Sequence, residues 1–195
     1  MSRAHAIALQ PGDALLIIDV QNDFLPGGSL AVPQGEQVIE PINRWLARFS
    51  KAHLPVYATR DWHPPGHCSF ITRGGPWPPH CVAGSPGAQF ALGLRLPPDT
   101  PVTEIGKGTG PDADAYSGFE GTELHARLQA GGVRRLFVCG LATDYCVVNT
   151  VLDARRLGYA VVVLEEAIRP VEVHPGDGAR AVAAMVASGA RVWKE

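Results

Sequence analysis

The sequence predicts an α/β fold built on a mainly parallel sheet, and three observations predict it. Strand-sized apolar runs alternate with segments of helical periodicity along the chain. The first strand candidate is a nearly continuous apolar run, as a strand covered on both faces is. Polar residues able to do chemistry follow directly after several of those runs.

In order, Leu15, Leu16, Ile17 and Ile18, running into Asp19 and Val20, make the first strand. Val38, Ile39, Ile42, Trp45, Leu46 and Phe49 recur at helical spacing, a pattern that accepts Pro41 only in its first turn. Residues 55–61 read as a second strand. Residues 62–101 are rich in Pro and Gly with little periodicity. A loop that long is functional or disordered, and its Trp, His and Cys content speaks against disorder. A short strand over 102–105 follows, then a Gly-rich loop and a helix over 122–129, stopped by Gly131 and Gly132. Residues 136–140 form a buried strand, and 143–157 a helix with Val147, Val148, Val151 and Leu152 on one side. A strand over 161–164, a helix over 178–187 and a strand over 190–193 close the chain. Strand–helix–strand order implies right-handed crossovers between parallel strands, with a site beyond their carboxyl ends. Asp19, Asp61, the segment after Ile105 and the segment after Leu141 all fall on that edge.

A chain of 195 residues is predicted to be one domain, residues 1–195, able to bury a core without disulfides. A formal charge of −2 without any basic block excludes a nucleic-acid footprint. No apolar run is long enough to span a bilayer and the start lacks a leader pattern, so a cytoplasmic location without a membrane partner is predicted. Cys68, Cys81, Cys139 and Cys146 include no Cys-x-x-Cys pair, which argues against a zinc ribbon or a thioredoxin-type site. A reducing compartment keeps them as thiols.

Asp19 ends an apolar strand, where partial burial raises a carboxyl pKa and suits it to proton transfer. Cys146 follows the strand that ends near Leu141, with Thr143 as a plausible N-cap. In a first helical turn the dipole favours a thiolate, and free N–H groups can hold an oxyanion. Cys139 lies mid-strand, where packing accounts for it. Lys107, between Gly106 and Gly108 after a strand, is a candidate to lie over Cys146 and Asp19, lowering the thiol pKa. Asp61 and His63 form Asp-x-His at a strand end, and His80 lies in a rigid Pro-rich segment of the long loop. That oxygen and nitrogen donor set suits one borderline divalent ion, with zinc, iron and manganese as candidates. His67 is open between a further ligand and a supporting group.

Together these motifs resemble the nicotinamidase branch of the isochorismatase-like cysteine hydrolases. The matching stretches are Ile17 to Phe24, Gly27 to Leu30, Asp61-Trp62-His63, Trp77 to Val82, Lys107-Gly108, Tyr116 to Phe119 and Gly140 to Val147. Several motifs in the right order are far more specific than one. The resemblance implies a doubly wound α/β fold with helices on both faces. It also implies a catalytic triad of Asp19, Lys107 and Cys146, and a metal held by Asp61, His63 and His80. The family's pocket carries over onto Phe24, Leu30, Trp77, Tyr116, Leu141 and Ala142. Its oxyanion hole maps to the backbone N–H groups of Ala142 and Cys146, with a cis peptide between Ala142 and Thr143. Hydrolysis of nicotinamide, a role in NAD salvage and activity on pyrazinamide are what the family implies, and a homo-oligomer is left open. The rivals are another amidohydrolase or an isochorismatase of the same superfamily, and a non-catalytic metal-binding or thiol redox protein. Cys146 argues against isochorismatase chemistry, and the metal loop with Trp77 against the carbamoyl-amide hydrolases.

Overall fold

The computed structural model describes residues 7–96 and 101–194. Residues 97–100, in the expected long loop, lie outside them. Six strands form one parallel sheet in the order β3-β2-β1-β4-β5-β6, with β1 Asp13–Ile18, β2 Val56–Asp61, β3 Val102–Lys107, β4 Arg135–Leu141, β5 Ala160–Arg169 and β6 Arg191–Trp193. The helices are α1 Ile39–Lys51, α2 Leu124–Ala130, α3 Val148–Arg156 and α4 Asp177–Ala187. Pro41 falls in the first turn of α1, where its missing N–H costs nothing.

The aliphatic strands feed two cores. Leu15 and Ile17 of β1 join Ile42, Trp45, Leu46 and Phe49 of α1 on one face. Ala14, Leu16 and Ile18 point the other way, into a core with Leu124 and Leu128 of α2, Val151 and Ala154 of α3, and Met185 of α4. Period-two alternation within an all-apolar strand is what double coverage requires. Among the described residues no helix is long and apolar enough to cross a membrane.

Several boundaries differ from the sequence reading. β3 runs on to Lys107, and β5 reaches Arg169 instead of stopping at Leu164. β5 continues because its pairing with β4 shifts register between Val138 and Gly140, which carries Glu165 and Glu166 past the irregularity. Gly140 makes that edge feasible. Its φ is +118°, and a Cβ there would lie 2.0 Å from the carbonyl oxygen of Ile18. Only glycine lets β4 come so close to β1. The order reverses between β1 and β4, so the chain leaves the sheet on either side of a crevice at their carboxyl ends.

Candidate active site

Four strand ends deliver the polar residues to that crevice. Asp19 leaves β1 with φ +48°, a left-handed turn that aspartate tolerates better than most residues. Asp61 ends β2 and stands in register with Lys107, which ends β3. Cys146 follows β4. Lys107 is only 1% exposed, and its Nζ lies 3.0 Å from Asp19 Oδ2 and 3.5 Å from Cys146 Sγ. The ammonium also donates to Asp61 Oδ1 and, at 3.1 Å, to the Ala115 carbonyl. Thr59 donates to Asp19 Oδ1 at 2.7 Å, leaving Oδ2 for the lysine side of the cluster.

The electrostatics follow from burial. Desolvation raises the Asp19 pKa, and the neighbouring Asp61 adds to that against the pull of Lys107. Burial also opposes ionisation of Asp61, but the Lys107 ammonium draws that carboxyl below its usual range. Lys107 is pushed well above its ordinary value, because two carboxylates overcome its own desolvation. The Cys146 thiol moves up, first through burial and then through Asp19 and Asp61, with Lys107 only partly offsetting them. This runs against the pull of the helix start and of Lys107 toward a thiolate. Burial thus favours the neutral thiol, which suits an attack coupled to proton removal.

Thr143 is not a side-chain cap, and its buried hydroxyl has no hydrogen-bond partner. Residues Thr143–Val147 form a wide π turn before α3 begins. The Ala142 carbonyl accepts N–H groups from Tyr145 and Val147, both at 3.1 Å. Asp144 turns its carboxylate away to accept the Val171 and Glu172 N–H groups at 2.9 Å each, tying the segment after β5 to this turn. The cis peptide joins Leu141 to Ala142, one residue before the expected bond.

Asp61, His63 and His80 place one ligand atom each within 4.8 Å of the others. His63 Nδ1 donates to the Gly108 carbonyl at 2.9 Å and His80 Nδ1 to the Pro78 carbonyl at 2.8 Å. A carbonyl can only accept, so both rings carry their proton on Nδ1 and keep the Nε2 lone pair for a cation. His63 Nε2 lies 3.5 Å from Asp61 Oδ2. Gly108, with φ +60°, is needed here because a Cβ would lie 2.4 Å from the His63 ring. The donor set and its free lone pairs fit a divalent ion. His67 does not join them. Its Nε2 donates to the Ala113 carbonyl at 3.1 Å, and its Nδ1 bonds Ser69 Oγ at 2.7 Å. With both nitrogens used, it stacks on the His63 ring at a centroid distance of 4.1 Å.

Beside the cluster opens a pocket of about 480 Å³ including its mouth, lined by Phe24, Leu30, Trp77, Tyr116, Ala142 and Cys146 among others. Trp77 Nε1 donates to the Tyr116 hydroxyl at 3.1 Å, and Tyr145 packs edge-on to Trp77 at 5.1 Å. This aromatic wall suits a flat ring. Leu141 is a correction. As the last residue of β4 its side chain is fully buried in the α1-side core, and the chain first reaches the pocket at Ala142. Val32, Ser69, Tyr145 and Val171 line the pocket unforeseen. The same rule about strand ends could have found Val171, which follows β5.

The Isochorismatase domain family matches residues 13–194. The nicotinamidase of Escherichia coli is 39% identical over 94% of this chain and 95% of its own. The crystal structure of the pyrazinamidase of Pyrococcus horikoshii in complex with zinc superposes with a TM-score of 0.89 at 44% identity, covering 95% of this chain and all (100%) of the other. A protein from L. infantum in complex with nicotinate gives a TM-score of 0.85 at 41% identity, over 94% of this chain and 93% of its own.

Proposed function

The chain belongs to the isochorismatase family, and from that premise we infer that it is a nicotinamidase, an amidohydrolase that converts nicotinamide to nicotinate and ammonia. The observation that supports this reading most is the meeting of Cys146 Sγ, the Lys107 ammonium and the Asp19 carboxylate beside an aromatic-walled pocket. Asp19, with a raised pKa, takes the Cys146 proton as the sulfur attacks the carboxamide carbon. Lys107 stays charged throughout, holding Asp19 in place and balancing the negative charge that develops. The N–H groups of Ala142 and Cys146 stabilise the oxyanion. Asp19 then protonates the departing ammonia, leaving a thioester. A water deprotonated by Asp19 hydrolyses it and regenerates the thiol. A reducing cytoplasm keeps Cys146 in the form this cycle needs. Pyrazinamide, an amide of similar shape, enters the same pocket.

Asp61, His63 and His80 hold one divalent ion, with zinc as first choice and iron or manganese as alternatives. When bound, that ion supplies an anchor for the ring nitrogen, so its contribution is orientation. Phe24, Leu30, Trp77 and Tyr116 hold the faces and edge of the ring. Benzamide keeps the shape and the scissile amide but lacks the nitrogen. On metal-loaded protein its kcat/KM should fall about 10²-fold below that of nicotinamide, since a water can take the vacant position. Chelation should harm nicotinamide turnover much more than benzamide turnover. Equal kcat/KM for the two amides on loaded protein would refute the anchoring role.

A further inference from the structure

Gln21 lies just beyond Asp19 and is fully buried, yet the reaction above makes no use of it. Its Oε1 accepts the backbone N–H of Asp61 at 2.8 Å. Its Nε2 donates to the Asp61 carbonyl at 2.8 Å and to the Ala88 carbonyl at 2.9 Å. Both main-chain groups of Asp61 are therefore taken by one side chain. The reason lies in the sheet. The β1–β2 ladder ends at Ile18 and Thr59, because Asp19 turns out of the strand. Gln21 supplies the next rung with its amide, in the place a strand would have supplied it. On its other side Asp61 pairs with Lys107 of β3. The Ala88 bond anchors the same amide to a segment that is itself tied to β1, through Asn22 N–H to Gln89 and Ala91 N–H to Val20.

We propose that Gln21 is a positioning residue for Asp61, fixing its backbone so that one carboxylate serves both Lys107 and the metal ion. The inference rests on reading Asp61, His63 and His80 as a metal site. Asp61 divides its two oxygens, Oδ1 to the Lys107 ammonium and Oδ2 toward His63 Nε2. A carboxylate with two obligations has little angular freedom, and a loose backbone would satisfy one partner at the expense of the other.

Gln21→Met keeps the length of the side chain and loses all three hydrogen bonds. Gln21→Asn is the second variant should the apolar one not fold, since its amide is one methylene too short to reach both groups of Asp61. Zinc affinity is read on the metal-stripped full chain by competition with a chromophoric chelator, and turnover is followed as zinc is raised. The expected result is a zinc Kd raised roughly 10–100-fold, the usual effect of losing a residue that orients a ligand. Saturating zinc should restore most of kcat, which no general loosening of the fold would allow. An unchanged zinc affinity in a folded variant, or a rate loss that saturating zinc leaves in place, overturns the proposal. Absence of zinc binding by the unaltered chain would overturn the metal reading and this inference together, a result distinct from the other two.

Discussion

Exchange of Cys146 for alanine should remove ammonia release from nicotinamide, a loss on the order of 10⁴-fold or more, while the chain stays folded. The magnitude follows from the role. Without the sulfur no acyl-enzyme forms, and pocket, Lys107 and N–H groups have only water to offer the amide. Stability should fall by about 1 kcal/mol, the scale of a small buried group. Cys139→Ala is the matched control. That thiol is fully buried in the α1-side core, and its Sγ donates to the Leu16 carbonyl at 3.7 Å. The control should lose a similar stability and keep its turnover. Activity retained in Cys146→Ala would remove the nucleophile from the account.

Lys107→Met should damage both fold and turnover. Lys107 is buried among Asp19, Asp61 and Cys146, and its ammonium is the positive charge that faces both carboxylates. Removing it takes the ammonium away from two buried carboxylates, and breaking a buried pair in this way costs about 3–5 kcal/mol. Part of that cost will be relieved by protonation of Asp19, whose pKa is already raised by burial. A protonated Asp19 cannot serve as a base, so turnover should drop by roughly 10³-fold even where the variant remains folded. Denaturant midpoints and initial rates read the two effects separately. A variant as stable as the parent would contradict the placement of Lys107 between two ionised acids.

The parts of this site that were legible in the sequence share one property. Asp19, Asp61, Lys107 and Cys146 each lie at or after the end of a strand, and a parallel sheet gathers such ends on one rim. The donors for a cation were legible too, because Asp-x-His at a strand end is a local pattern. What escaped depends on contacts between distant segments. Val171 reaches the pocket because Asp144 binds the amides that follow β5. The π turn at 143–147 leaves no periodic trace in so short a stretch, and Thr143 looked like a cap because its residue type favours caps. His67 could not be decided from spacing, since its exclusion from the ligand set comes from Ala113 and Ser69 taking its two nitrogens. The upward push on the Cys146 thiol was not legible either, because the helix-start argument omits burial and the two carboxylates, which outweigh Lys107.

As a nicotinamidase, the protein hydrolyses a primary amide on an aromatic ring in this crevice. The most direct test is the product yield when purified, zinc-loaded protein is mixed with nicotinamide. Ammonia and nicotinate should appear together in equal amounts, with many turnovers per chain. Folded, zinc-loaded protein that releases no ammonia above the uncatalysed background would contradict the account.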